Sequence, residues 1–208
     1  MRHNISWWRT TFGEEEIQRV VKSLRNEDVS QGTVTEEFED SLGRYLGVKH
    51  VICTTSGTSA LTIALMALGV QPNDEVIVPN RTWIATAHAA KILGANVVLV
   101  DVEENRPIID FDKIEDAITP ATKVIIPVHM NGRSANLHFI NQIAKNYSLF
   151  VVEDAAQAIA SRNHLGYLGT QSDIGCFSLS VAKTISTGQG GFAVTNSDEL
   201  SRKMRNLR

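Results

Sequence analysis

The sequence predicts an α/β fold with a mostly parallel sheet flanked by helices, and two observations carry that reading. From residue 49 onward, short runs rich in Val and Ile alternate with segments of helical period, the pattern left when helices return the chain between parallel strands. The composition agrees: 43% of the 208 residues are hydrophobic and 21% are charged, which suits one sizeable layered core with an ordinary surface.

Taken in order, the chain opens with two amphipathic helices. Ile17, Val20, Val21 and Leu24 form one apolar stripe, and Phe38, Leu42, Tyr45 and Leu46 form the next. The polar "NEDVSQGT" between them is a loop that either connects or borders a site. The expected strands are "HVICTT", "EVIVP", "NVVLVD", "KVIIPV", "LFVVED", "IGCFSLS" and "GFAVT". Among them lie the helical segments "SALTIALMALG", "TWIATAHAAKILG", "DFDKIEDAI" and "LHFINQIAKNY", the first two closing on a glycine as helix ends often do.

The net charge of -3 leaves no electrostatic footprint for nucleic acid or an anionic membrane, so the expected partners are small molecules. Cys53 and Cys176 stand in no CxxC spacing and have no histidine at ligand spacing, so neither a zinc site nor a disulfide is expected. Both read as small buried hydrophobes. The opening "MRHNISWWRTTFGEEE" lacks the apolar core of a signal peptide, and no apolar run approaches membrane-spanning length, so the expected location is cytoplasmic.

In an open α/β sheet ligands gather beyond the carboxyl ends of the strands, which singles out four places. In "TTSGTSAL" a strand passes through Gly57 into a helix whose first turn, with Thr58 and Ser59, suits a phosphate; the alternative is an ordinary helix cap by Ser56 or Thr58. In "LFVVEDAAQA", Glu153 and Asp154 end an apolar strand, and a carboxylate there must find water, a cation or a donor. Asp154 suits a ring nitrogen or the cap of a following helix. Trp83 follows "EVIVP" and either stacks on a flat ligand or belongs to the core. Lys183 is the only formal charge between Asp173 and Asp198, with Ser178 before it and "TGQGG" after it. Such isolation fits a desolvated, nucleophilic amine, against the commoner role of a solvated surface lysine. A lysine, a carboxylate, a phosphate cradle and an aromatic plate together are what pyridoxal phosphate asks for.

With these residues in view, the chain resembles the DegT/DnrJ/EryC1/StrS family of sugar aminotransferases, fold-type I pyridoxal phosphate enzymes, from about residue 10 to the last residue. The carriers are "SGTSAL", "PNRTWIATAHAA", "GANVVLVDV", "ITPATKVIIPVHMNGR", "VVEDAAQA" and "SDIGCFSLSVAKTISTGQGGFAVTNSDEL", in the family's order. The resemblance implies a covalent aldimine between Lys183 and pyridoxal 5'-phosphate, with Asp154 on the pyridinium nitrogen and Gln157 near the ring hydroxyl. It likewise implies a phosphate site at Gly57, Thr58, Ser59 and Ser178, and stacking by Trp83. The implied reaction moves an amino group from an amino donor, usually L-glutamate, to a keto-sugar acceptor on a nucleotide diphosphate, in a homodimer serving deoxyamino-sugar and polysaccharide biosynthesis.

Relatives with histidine for the lysine catalyse dehydration, so Lys183 favours transamination, with a sugar dehydratase or a catalytically impaired cofactor-binding fragment as the alternatives. The chain departs from the family pattern at Ser172, where glycine is usual, and at Leu179 and Ser180. The expected domains are an N-terminal helical segment, 1–48, packing on a pyridoxal-phosphate-binding large domain, 49–208, with the family's small C-terminal domain absent. Outside the family, the rivals are a Rossmann-type nucleotide-binding module, which gives Lys183 no role, and a fragment that only dimerises. His88, His129 and the segment "HMNGR" remain open between structural roles and the sugar site.

Overall fold

The computed structural model describes Ser6 and residues 8–208. The reading of "MRHNISWWRTTFGEEE" therefore falls partly outside the described residues. Two helices, α1 (Glu14–Arg25) and α2 (Thr33–Leu46), precede β1 (His50–Thr54). There follow α3 (Gly57–Ala67), β2 (Glu75–Pro79), α4 (Ala85–Ile92), β3 (Asn96–Val100), β4 (Thr122–Ile125), α5 (Leu137–Tyr147) and β5 (Phe150–Asp154). The chain continues through β6 (Arg162–Asn163), β7 (Gly166–Tyr167), β8 (Ile174–Ser178), β9 (Gly191–Thr195) and α6 (Asp198–Leu207).

Seven strands form one sheet in the order β1-β9-β8-β5-β4-β2-β3. Strand β9 is antiparallel to both neighbours and every other pairing is parallel, so six strands share a direction. The Val/Ile runs of the inner strands β2, β4, β5 and β8 are buried on both faces, as strands covered by helices on either side must be, while edge strand β3 leaves Leu99 exposed. Along β2, Val76 and Val78 pack under α3 and α4, while Ile77 packs with α5 residues such as Ile140 on the other face. Beside them, Leu42 and Leu46 of α2 pack with stacked Phe177 and Phe192 from the central strands.

Helix α2 is also fixed by charge. Glu39, 6% exposed, accepts from the Cys53 amide at 2.8 Å, Arg205 at 2.8 Å and Arg208 at 2.6 Å. Cys176 is buried and Cys53 partly so, and burial, with the Glu39 carboxylate adding to it, pushes the Cys53 thiol up to about 12.

One local expectation is corrected, and other local features add to the reading. The period in "DFDKIEDAI" resolves into two 3-10 turns, Phe111–Lys113 and Glu115–Ala117, because the Asp110 carboxylate accepts from the Asp112 amide at 3.2 Å and holds a tight turn. Helix α1 forms where its stripe predicts, but buries none of its residues. Finally, α6 and the β6–β7 hairpin were not anticipated.

Candidate active site

Strands β1, β2, β5 and β8 run in the same direction, so the segments that follow them meet at one edge of the sheet. At the end of β5, Asp154 is 5% exposed. Its Oδ2 accepts from the Thr86 hydroxyl at 2.7 Å and its Oδ1 from the Ala156 amide at 3.1 Å. The second bond closes a turn, not a helix cap: the residues after Asp154 form no α-helix.

Lys183 lies half-buried in the loop between β8 and β9. Three backbone bonds hold that loop: the Leu179 amide donates to Gly190, the Thr187 amide to Leu179 and the Lys183 amide to Ser180, each at 2.9 Å. The Thr10 hydroxyl donates to the Val181 carbonyl at 3.1 Å, so the chain ahead of α1 crosses the same loop.

Burial pulls the Lys183 ammonium below its ordinary range, and the Asp154 carboxylate partly offsets this. Burial raises Asp154, against the opposing effects of the Thr86 hydroxyl, the Ala156 amide, Lys183 and His129. The two groups feel each other's charge without being directly hydrogen bonded, so desolvation wins for both.

Next to this pair, α3 starts against Ser178. A Cβ added at Gly57 would stand 2.8 Å from Ser178 Cβ and 3.3 Å from the Phe177 carbonyl oxygen, so only glycine lets the helix start this close to the strand. Ser56, not Thr58, is the cap: its hydroxyl accepts from the Ser59 amide at 3.0 Å. The Ser59 hydroxyl lies 2.9 Å from Ser56 Oγ and 3.1 Å from Thr55 Oγ1. As the first two helical positions, Gly57 and Thr58 carry amides with no acceptor in their own helix, aimed where an anion would be stabilised.

Trp83 is 69% exposed and so lies outside the core; its carbonyl accepts from the Thr86 amide at 3.1 Å, placing the indole's residue one turn ahead of the threonine that holds Asp154. Gln157 reaches the "HMNGR" segment, its Oε1 accepting from the Asn131 amide at 3.0 Å. Lys183, Asp154, Gly57 and Ser178 are thus gathered around two adjacent strand ends. Gln157 faces the segment after β4, and His88 is exposed on α4. His129 is fully buried against Glu153. Sequence reasoning missed Thr86, which lies within the quoted "TWIATAHAA" but gives no signal of its partner 68 positions away.

The DegT/DnrJ/EryC1/StrS aminotransferase family model matches residues 10–208. The chain belongs to this family. Among DegT/DnrJ/EryC1/StrS relatives, the spore coat polysaccharide biosynthesis protein SpsC of Bacillus subtilis is 38% identical over 205 residues, covering 99% of this chain and 53% of the relative. The GDP-perosamine synthase of Caulobacter vibrioides is 43% identical over 179 residues, covering 86% of this chain and 48% of the relative. The chain therefore spans about half the length of the curated relatives it matches. Among solved structures, NtdA from Bacillus subtilis, with bound cofactor PMP, superposes with a TM-score of 0.83 at 35% identity, covering 98% of this chain and 48% of that one. The fold is thus that of the family's sugar aminotransferases. Among the described residues no helix is long and apolar enough to cross a membrane, and no three His, Cys, Asp or Glu side chains group as a metal site.

Proposed function

We propose that this protein uses pyridoxal 5'-phosphate to transfer an amino group from an amino acid, L-glutamate in the first instance, to a keto sugar carried on a nucleotide diphosphate. The observation that carries this is the pairing of Lys183 and Asp154: a desolvated amine and a buried, doubly hydrogen-bonded carboxylate at one sheet edge. The residues fit the cofactor, since the Gly57–Ser178 approach leaves a cradle that a Cβ would fill and an exposed indole stands one turn from Thr86. The PMP-bound relative and the perosamine synthase support the same reading.

When bound, pyridoxal phosphate supplies an aldehyde for an amine and a ring that stores the electron pair of a carbanion. Lys183, its pKa lowered by burial, would bond the cofactor and carry the proton at the substrate carbon. Asp154 would hold a proton at the ring nitrogen, and the cation so formed would draw the Asp154 pKa back down. Gly57, Thr58, Ser59 and Ser178 would bind the phosphate, Gln157 would serve the ring hydroxyl, and Trp83 would offer a stacking face. The reading extends to a cytoplasmic homodimer in deoxyamino-sugar biosynthesis, with residues 1–48 as a helical segment on a large domain, 49–208.

The test is borohydride reduction of the protein after incubation with pyridoxal phosphate, followed by peptide mass spectrometry with Lys183→Ala as control. A pyridoxyl group confined to Lys183, and a spectral change on adding glutamate, support the proposal. Labelling spread over surface lysines, or its survival in the variant, refutes it.

A further inference from the structure

We infer that Thr86 is a positioning residue that aims and charges the Asp154 carboxylate, at the end of a two-hydroxyl relay running from Thr82 through Thr86 to Asp154. This rests on the cofactor reading above. Thr86 is fully buried, in the first turn of α4. Its hydroxyl oxygen lies 2.7 Å from Asp154 Oδ2, 2.8 Å from Thr82 Oγ1 and 3.1 Å from the Trp83 carbonyl.

A hydroxyl has one hydrogen to give, and the competition for it has a clear winner. The Asp154 contact is the shortest and the only charge-assisted one, and the Trp83 carbonyl already receives the Thr86 amide. Turning the hydrogen toward Trp83 would leave a buried carboxylate oxygen without a donor, which is costly. Thr82, half-buried at the outer end, then donates to Thr86 and fixes its orientation.

With Ala156 on Oδ1, both carboxylate oxygens are held, so the plane of the group is set while each oxygen keeps a lone pair for another donor. The backbone beneath is fixed too: the Asp154 amide donates to Pro127 at 2.9 Å and its carbonyl accepts from His129 at 3.0 Å. The ionisable groups around Asp154 are Lys183 from the β8–β9 loop, His129 from the segment after β4, Glu153 on its own strand and Cys176 on paired β8. None of these is hydrogen bonded to its side chain among the described residues, which leaves Thr86 as the one side-chain donor.

Thr86→Val keeps the shape and removes the donor, and Thr86→Ser restores it. The experiment follows the carboxyl 13C resonance of Asp154 with pH in the purified protein without cofactor, assigned by its loss in Asp154→Asn. A second reading follows the pH midpoint of the visible band after pyridoxal phosphate is added. The expected result is an Asp154 midpoint about one pH unit higher in Thr86→Val, a roughly tenfold gain in proton affinity. The visible band should move as well, Thr86→Ser should match the parent, and Thr82→Val should show a smaller rise. An unchanged Asp154 titration in Thr86→Val overturns the inference. If that variant does not fold, Thr82→Val decides, and no shift there overturns the relay. Should Asp154 respond as expected while the parent protein forms no Lys183 adduct, the cofactor reading fails and the hydroxyl relay stands alone.

Discussion

Glu153 and Asp154 are consecutive on β5, and their carboxylates point to opposite faces of the sheet into opposite circumstances. Glu153 accepts three hydrogen bonds: Oε2 accepts from His129 Nε2 at 2.8 Å and the Gly169 amide at 2.7 Å, and Oε1 from the Gln171 amide at 2.7 Å. His129 Nδ1 accepts from the Ala135 amide at 3.1 Å, so the ring hydrogen sits on Nε2, facing Glu153. Glu153 thereby ties the segment after β4 and the segment between β7 and β8 to the sheet. Among the described residues Asp154 has a single side-chain donor, with unspent acceptor capacity toward Lys183.

Glu153→Gln should destabilise the protein by about 2 kcal/mol, because the new amide NH2 must face an N–H donor on whichever side it lies. Urea unfolding checks this. An unchanged midpoint would mean that the loops rearrange to absorb the mismatch.

Asp154→Asn should have the opposite sign near neutral pH. The folded carboxyl is raised by burial, so the folded state binds the proton more readily than the unfolded one, and stability falls as pH rises out of the unfolded carboxylate range. The variant escapes that penalty, and Thr86 can accept from the new amide. Its melting temperature should exceed the parent's at neutral pH and converge with it in acid, while pyridoxal phosphate binding is lost.

Lys183 should react with amine-directed reagents with a pH midpoint below that of the other lysines, since burial lowers it. Asp154→Asn should move the midpoint further down, because the carboxylate is the group holding it up. Residue-resolved acylation rates across pH measure both effects, and an upward move would contradict the assigned cause.

Gly57→Ala should destabilise. Replacing glycine in a helix usually gains roughly 0.5–1 kcal/mol, but here the methyl would press on Ser178 at 2.8 Å, and overpacking costs about 1–3 kcal/mol. Thermal melts with and without inorganic phosphate should show a lower melting temperature and a smaller phosphate-induced rise. An increase in stability would show that α3 can back away from β8.

The seven sheet strands were legible because each is an apolar run, the inner ones buried on both faces, and the candidate residues because they stand at or after the ends of those runs. Helix α6 was not legible: in "DELSRKMRNLR" Leu200, Met204 and Leu207 keep helical spacing, but charge dilutes them, and only packing of Met204 into the core reveals the buried face. The β6–β7 hairpin is too short for alternation to register. Pairings such as Thr86 with Asp154 or His129 with Glu153 depend on which strands become neighbours, and local periodicity does not encode that. The sequence is compatible with either stacking or a core role for Trp83; its exposure removes the second option.

The reversed direction of β9 gives Lys183 a mechanical setting that a helical crossover would not provide. Because β8 and β9 are neighbours, the loop carrying the lysine is hinged to the sheet at both ends and strapped by Thr10 in between. The amine is thereby anchored near Asp154, so a carbonyl group held there would meet it at a high effective molarity, with much of the orientational entropy already removed by folding.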